Sequence, residues 1–202
     1  MVSIFSVCCL IRLSTESVPS HYGGALLLAS NQGVKGGVKG GVYVTNSHFF
    51  GNRGDGLFAG TISGDVRVVH IIANNNSDVG ADLHAQNGSV SVARNTKGAN
   101  TFNGNLEGMD VSDSGGSISL SNFTASNNGL GNGNQGTGLI FEMPVSSATL
   151  TCATISSNTN YGILGMDPSG GTLTLNSVTM AGNVPTDIVW PGPILNGTAT
   201  CS

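Results

Sequence analysis

A short alternating strand recurs along this chain, and its spacing constrains the fold more than any other feature of the sequence. The steps between successive copies are 24, 24, 28, 32 and 23 residues. A repeat of this length predicts a solenoid, in which each unit buries its apolar face only by stacking on its neighbours. The copies are Val42-Tyr43-Val44, Val66-Arg67-Val68, Val90-Ser91-Val92, Ile118-Ser119-Leu120, Leu150-Thr151-Cys152 and Leu173-Thr174-Leu175.

A second strand recurs in phase with the first and usually begins at or just after a glycine. Alternation of apolar and polar residues predicts that both strands are half-buried, with Val, Leu and Ile inside. Asn, Gly and Ser clusters between the strands are typical of turns, and stacked Asn amides can hydrogen-bond along a repeat axis. The copies are Gly56-Leu57, Gly80-Ala81, Gly108-Met109, Gly138-Leu139, Gly162-Ile163 and Ile188.

Two short strands and two turns in every unit predict an all-β fold. Their even spacing favours a parallel β-helix (a β-solenoid) of about six coils with roughly 26 residues each. The general handedness of parallel crossovers predicts that this β-helix is right-handed. We expect a partial coil or irregular segment over residues 1–22, the β-helix over 23–190 and a tail over 191–202. Val2-Ser3-Ile4 matches the first-strand pattern, which favours a chain that begins inside a longer β-helix.

Short motifs in the first half of the chain carry a family resemblance. With the repeat over residues 23–190, they resemble the right-handed parallel β-helix proteins of the pectin-lyase-like group. Within that group, the chain is most similar to the adhesin-type repeats of polymorphic outer membrane proteins. The resemblance implies a surface or secreted scaffold. The motifs are Gly23-Gly24-Ala25-Leu26, Gly40-Gly41-Val42-Tyr43, Phe49-Phe50-Gly51-Asn52 and Phe102-Asn103-Gly104-Asn105.

The composition bears on partners and location. Charged residues make up 9% of the chain and hydrophobic residues 39%, and the net charge is −4 with seven Lys and Arg. Because no basic patch exists, nucleic acid is not an expected partner. A surface of Ser, Thr, Asn and Gly suits a glycan or a surface protein as partner and favours an extracellular or cell-surface location. No run of 18 apolar residues occurs, so we expect no membrane-spanning segment.

The four cysteines are Cys8, Cys9, Cys152 and Cys201, and they lack the spacing of metal ligands. Cys152 falls on an inward position of the predicted strand, where a free thiol packs as a small apolar residue. Cys201 lies in the tail and can pair with another thiol. The count alone leaves the disulfide pairing and the redox compartment open.

Aligned second strands place ionisable side chains together on one outer face. Asp82 and Asp110 are predicted to be stacked neighbours, with His84 and Ser112 on the same side and Glu142 extending the face one coil later. Two close carboxylates repel each other, so one pKa rises or a cation bridges them. On the fold that the chain resembles, such carboxylates cleave polysaccharides by acid–base chemistry or hold calcium.

These residues define the enzymatic alternative. It is a polysaccharide lyase or glycoside hydrolase with Asp82, Asp110 and His84 as catalytic residues, and with Asp82 and Asp110 as calcium ligands. However, the chain lacks the Asn-Thr-Asp, Asp-Asp, Gly-His-Gly and Arg-x-Lys segments of polygalacturonases and the Trp-x-Asp-His segment of pectate lyases. The sequence therefore favours a non-enzymatic role in adhesion or display, without a cofactor.

Two further surface patterns suggest binding. Arg53-Gly54-Asp55, in the turn after Asn52, can present a cation and a carboxylate to a receptor. Outward hydroxyl pairs on successive first strands are similar to arrays that bind ice, which gives a third and weaker alternative because Thr also favours strands in general. The pairs are Ser89/Ser91, Ser117/Ser119, Thr149/Thr151 and Thr172/Thr174.

The large aromatic residues are expected to serve the core. Phe49, Phe102 and Phe123 recur just after the first strand, where they are predicted to stack inward. Trp190 stands where the repeat ends, and we expect it to cover the last coil, since an open solenoid end needs protection.

Overall fold

A computed structural model describes residues 10–11, 27–29, 41–61, 64–113, 116–129, 135–142, 145–166 and 171–201. These residues form strands and turns, and no helix occurs among them. The strands are β1 (Leu10–Ile11), β2 (Leu27–Ala29), β3 (Val42–Phe50), β4 (Leu57–Thr61), β5 (Val66–Asn74), β6 (Val79–Ala85), β7 (Val90–Ala93), β8 (Asn100–Thr101), β9 (Glu107–Asp113), β10 (Ile118–Ser126), β11 (Leu139–Phe141), β12 (Ser147–Ser156), β13 (Tyr161–Gly165), β14 (Thr172–Asn176), β15 (Thr179–Ala181), β16 (Thr186–Val189) and β17 (Ile194–Gly197).

The strands assemble into two parallel sheets that run along the same axis. The first sheet has the order β1-β3-β5-β7-β10-β12-β14-β17, with β8 and β15 pairing beside this path. The second sheet has the order β16-β13-β11-β9-β6-β4-β2. Because the chain alternates between the sheets, it forms a solenoid of about six turns. The predicted all-β parallel solenoid is thus confirmed, while its right-handed sense stays a prediction.

Four of the ten strands of the first sheet are longer than predicted, because they continue through a bend. Asn46, His70, Asn122 and Cys152 lie in the middle of β3, β5, β10 and β12 with φ between 52° and 55°. This left-handed backbone turns the chain while parallel pairing continues on both sides of it. Each such coil therefore has three flat faces instead of the two that the sequence predicted.

The register of one strand also differs from the predicted alignment. The sequence pattern paired Leu150 with Ile118, but the structure pairs Leu150 with Leu120, and it pairs Ala148 with Ile118. Leu150 then faces Leu175 in the next coil. A slip of two residues leaves every side chain on its original face, so apolar alternation cannot distinguish the two registers.

Inward side chains from both sheets form one apolar core along the described coils. Val92, Leu120 and Leu150 are almost fully buried, as the alternating pattern predicted. Phe49, Phe102 and Phe123 also point inward, and the rings of Phe102 and Phe123 lie 6.5 Å apart. The prediction that these aromatic residues stack in the core is confirmed.

One buried asparagine per coil forms a ladder at the corner between the sheets. Side-chain Nδ2 groups donate to the Oδ1 of the next coil at 2.8 Å from Asn52 to Asn76 and at 2.9 Å from Asn128 to Asn158. Backbone N–H groups donate to the same oxygens, as Asn105 N does to Asn128 Oδ1 at 3.0 Å. The predicted Asn stacking is therefore confirmed. This asparagine ladder consists of Asn52, Asn76, Asn105, Asn128, Asn158 and Asn183.

The glycine that precedes the second strand lies directly against this ladder. A Cβ atom at Gly108 would lie 2.7 Å from Asn128 Nδ2 and 2.4 Å from the carbonyl oxygen of Gly138. Such contacts are too short for any side chain, which explains why glycine recurs there. In the last coil Asp187 takes this place, and its Oδ1 accepts a hydrogen bond from Asn183 Nδ2 at 2.6 Å. Asp187 thereby completes the end of the ladder.

The C-terminal segment continues the solenoid. Within the predicted tail, β17 pairs with β14 in parallel. Cys152 and Cys201 form a disulfide with 5.5 Å between their Cα atoms. The prediction that Cys152 lies at an inward strand position is therefore wrong, because this residue occupies the left-handed bend of β12 and is only half-buried. Its disulfide state, which the sequence left open, is a bond to Cys201. The described residues contain no helix of the length and apolarity that a membrane crossing needs.

Trp190 covers the last coil as predicted. Its indole packs edge-on against Phe141 with 5.3 Å between ring centroids, and Nε1 donates to the carbonyl oxygen of Gly171 at 2.9 Å. At the other end, β1 pairs with β3. Residues 1–9 and 12–22, with the predicted strand Val2-Ser3-Ile4, lie outside the described residues.

Candidate functional site

Polar side chains gather on the outer face of the second sheet. Asp82 and His84 lie on β6 and face Asp110 and Ser112 on β9, since Asp82 pairs with Asp110 and His84 with Ser112. The inward residues between them belong to the core. This alignment agrees with the predicted stack of carboxylates. We refer to Asp82, His84, Asp110, Ser112 and Glu142 as the polar cluster.

His84 connects two other members of the polar cluster. Its Nε2 contacts Asp82 Oδ1, and its Nδ1 contacts Ser112 Oγ. The hydrogen bond with Asp82 raises the pKa of His84, and partial burial opposes this rise. The Phe58 ring lies 5.6 Å from the imidazole, centroid to centroid. The sequence placed Ser112 on this face but did not indicate its contact with His84.

Asp110 is the most strongly perturbed carboxyl of the polar cluster. Although it faces outward, it is only 6% exposed. Burial, followed by the charges of Glu142 and Asp82, raises its pKa to about 9, and a hydrogen bond with Glu142 adds to this rise. Its Oδ1 is buried and has no hydrogen-bond partner. Burial and the neighbouring carboxyl groups therefore favour the neutral, protonated form of Asp110.

Glu142 extends the polar face one coil after Asp110, as the sequence predicted, and hydrogen-bonds with Asp110. It follows β11 directly, and the residue that stacks on Asp110 in the next coil is Ile140. Glu142 thus approaches Asp110 diagonally across the face and not as the next member of the Asp82–Asp110 column. The carboxylate of Glu142 is exposed to solvent, in contrast to that of Asp110.

Further acidic residues surround the polar cluster. Burial and then the charge of Asp78 raise the pKa of Glu107 and of Asp55. Asp55 belongs to the Arg53-Gly54-Asp55 turn, and its Oδ1 accepts a hydrogen bond from Val79 N at 3.3 Å. The carboxylate is thus held against the next coil, whereas Arg53 is exposed. Receptor binding by Arg53, Gly54 and Asp55 stays a prediction.

The acidic residues do not by themselves define a metal site. In the part of the chain that the structure describes, no group of three or more His, Cys, Asp or Glu side chains is arranged to hold a metal ion. Asp82 faces the imidazole of His84, and Asp110 hydrogen-bonds Glu142. Calcium at Asp82 and Asp110 stays a hypothesis.

Hydroxyl groups form straight columns on the first sheet. Ser91, Ser119, Thr149 and Thr174 are consecutive register partners, and this set is called the hydroxyl column. The column continues at one end through Arg67, whose guanidinium lies 5.5 Å from the centroid of the Tyr43 ring.

The observed register changes the array considered for ice binding. Thr151 pairs with Asn176 and not with Thr174, so the two predicted Thr pairs do not stack on each other. The sequence also missed a second column, on the other side of the bend. It comprises Thr101, Thr124, Thr154 and Thr179.

Comparison of the chain with protein-family models, with curated proteins and with solved structures gave no match. The parallel β-solenoid follows from the strand pairing alone. Membership of the pectin-lyase-like group is accordingly part of the proposal below.

Proposed function

We propose that this chain is a β-helix segment of the pectin-lyase-like, adhesin-type kind, whose main role, adhesion or display through binding of a glycan or a surface protein, is non-enzymatic. The hydroxyl column carries this proposal. Its members recur at the coil spacing of about 4.8 Å and present neutral donors and acceptors in a straight line. A glycan chain offers hydroxyl groups of the same kind along its length.

The end of the hydroxyl column adds an aromatic surface. Tyr43 and Arg67 are partly exposed on the same face and contact each other. An aromatic ring with a polar tip gives large contact area at low entropic cost, which favours its use in binding sites. Together with Ser91 and Ser119, these side chains make a strip suited to a neutral or acidic sugar chain.

We also propose a secreted or cell-surface location. The Cys152–Cys201 disulfide supports it, because disulfides persist in oxidising compartments and are rare in the cytosol. The polar surface of Ser, Thr and Asn agrees with such a location.

The test of binding uses a panel of neutral and acidic polysaccharides and calorimetry. Thr149→Arg places a long side chain in the middle of the hydroxyl column and is expected to weaken binding at least tenfold. Thr154→Arg makes the same change across the bend and should retain affinity. The proposal of glycan binding at this strip is contradicted if the two variants bind equally well, or if the folded protein binds no member of the panel.

Asp110 favours a second candidate, a polysaccharide lyase or glycoside hydrolase of the same fold. A carboxylic acid that remains protonated at neutral pH, beside a carboxylate on the adjacent coil, is the pair that acid–base cleavage of a glycosidic bond requires. In this candidate Asp110 donates the proton, Asp82 serves as base or nucleophile, and His84 positions Asp82.

This candidate predicts product that depends on both carboxyl groups. The folded protein is incubated with the same polysaccharides, with and without calcium, and unsaturated uronates and new reducing ends are measured. The Asp82→Asn/Asp110→Asn variant should lose all product, whereas Asp78→Asn, which removes a nearby exposed charge, should keep it. Equal product from the double variant, or none from the parent protein, eliminates cleavage at this site.

A further inference from the structure

Asp82, His84 and Ser112 form a continuous line of contacts across two coils. Both ring nitrogens of His84 are engaged, Nε2 by the carboxylate of Asp82 and Nδ1 by the hydroxyl of Ser112. Neither proposed function above uses the Ser112 hydroxyl. A hydroxyl, an imidazole and a carboxylate in this order are the three groups that activate a serine as a nucleophile.

Each group meets the requirement of its role. Asp82 holds the proton of His84 on Nε2, so the unprotonated Nδ1 lone pair points at Ser112. Which of the two ring nitrogens faces the hydroxyl does not matter for proton transfer, since either accepts a proton. The pKa of His84 is raised above its usual value, which strengthens the imidazole as a base.

The scaffold holds the three side chains in place. Asp82 and His84 are two residues apart on one face of β6, and Ser112 is the register partner of His84 on β9. Both strands lie inside the second sheet, between β4 and β11. A site built on paired strands is positioned more accurately than one built on loops.

Access to the site comes from the imidazole side. The side chain of His84 is 34% exposed and that of Asp82 is 17% exposed, while Ser112 is 5% exposed. The Phe58 ring lies beside the imidazole and gives an apolar wall for an acyl group. Because Ser112 is only 5% exposed, a small acyl group reaches its hydroxyl more easily than a large one.

We propose that Ser112, His84 and Asp82 are the nucleophile, the general base and the positioning residue of an acyl-transfer site for small acyl esters. Ser112 Oγ forms a bond to the ester carbonyl carbon while His84 Nδ1 takes the hydroxyl proton. The C–O bond to the alcohol then breaks, and the alcohol leaves with that proton. Water, deprotonated by His84, then attacks the acyl-serine. The bond between the acyl carbon and Ser112 Oγ breaks, Oγ takes the proton back from His84, and the acid is released.

Covalent labelling with a small alkyl fluorophosphonate tests the nucleophile directly. The full chain is incubated with the probe, and the adduct is counted by intact mass and located by peptide mapping. We expect one adduct, on Ser112, and none in Ser112→Ala. Ser77→Ala, which removes an exposed hydroxyl elsewhere, should label like the parent protein. Folded parent protein that forms no adduct, or forms it on another residue, overturns the proposal.

The role of the imidazole is tested by the rate at which the fluorophosphonate labels Ser112. His84→Gln retains a polar side chain of similar length but removes the base, and labelling of Ser112 should slow roughly 100-fold. The labelling rate of the parent protein should rise with pH through the pKa of His84. Unchanged rate in His84→Gln, or no pH dependence, overturns the assigned base. Ester turnover is followed in parallel with p-nitrophenyl acetate, which reports acyl transfer and is blind to glycoside cleavage.

Discussion

Asn128 illustrates how single side chains hold this solenoid together. Its Oδ1 accepts the backbone N–H of Asn105, and its Nδ2 donates to Asn158 Oδ1. The side chain is fully buried, so water cannot replace these partners. A buried polar group that loses its partner costs more than the bond itself contributes, which makes each ladder residue sensitive to truncation.

Asn128→Ala is expected to lower the free energy of unfolding by about 3 kcal/mol, because it leaves the Asn105 N–H without an acceptor and opens a small cavity. Urea denaturation measures the change. Asn196→Ala, at an exposed position in the last strand, should change stability by less than about 0.5 kcal/mol. Similar losses in the two variants would show that the ladder does not carry this stability.

Asp110 determines a pH dependence of stability at the same scale. Its pKa is raised from 3.8 to about 9, so between these values the folded chain holds a proton that the unfolded chain releases. The stabilisation of the folded state by this retained proton is fully present below pH 3.8 and is lost as the pH rises toward 9. Over this range the free energy of unfolding falls by up to about 1.4 kcal/mol per pH unit.

The matched test compares the parent protein with Asp110→Asn. The asparagine is neutral at every pH and still donates to Glu142, so stability should fall less steeply with pH in the variant. Unfolding free energies between about pH 5 and pH 8 measure this difference. The raised pKa values of His84, Asp55 and Glu107 also make the free energy of unfolding fall as the pH rises. These three residues are present in both proteins, so the difference between the two curves reports Asp110. Parallel curves for the two proteins would contradict a buried, protonated Asp110.

At the scale of the strand, alternation determined which side chains point inward. Val92 is 1% exposed and packs between the inward residues Val68 and Leu120 of the neighbouring coils, as the pattern predicted. Alternation did not determine the register of β12, since a two-residue slip preserves both faces. The alternating pattern also did not predict the bends, because the left-handed backbone conformation of a residue such as His70 is not evident from its side-chain type.

Substitution of adjacent residues on β7 tests the strand assignment. Val92→Asp places an unpaired charge in the core and is expected to cost more than about 4 kcal/mol, enough to unfold much of the protein. Ser91→Asp places the same group on the outer face and should be tolerated. Circular dichroism and thermal melting compare the two variants. A folded Val92→Asp protein with normal stability would refute the inward assignment of this strand.

At the scale of the whole molecule, strand pairing joins each coil to the coils beside it, so stability depends on how the ends are closed. Three features meet at the C-terminal end: Trp190 covers the last coil, Asp187 completes the asparagine ladder, and the Cys152–Cys201 disulfide fastens the last segment. The disulfide links positions 49 residues apart and so restricts the unfolded chain.

Cys201→Ser is expected to lower the free energy of unfolding by about 4 kcal/mol, the loop-closure value for a ring of this size. Cys152→Ser should give the same loss, and the double variant should lose no more than either single one. Urea denaturation measures the free energies of unfolding. The buffer contains no reductant, so that the redox state of Cys8 and Cys9 is not changed. Additive losses in the double variant would show that the two residues act separately and not as a disulfide.

The pattern of residues along the chain was enough to predict the repeat, the inward residues of most strands, the stacked asparagines and the outward position of Asp82, His84 and Asp110. These features follow from local periodicity. Apolar and polar residues alternate with a period of two residues, and the strand motifs recur with a period of one coil. The contact of His84 with Ser112, the burial of Asp110 and the pairing of Cys152 with Cys201 became evident from the folded chain alone. Such contacts join residues 28 to 49 positions apart and depend on side-chain direction between coils, which periodicity does not specify.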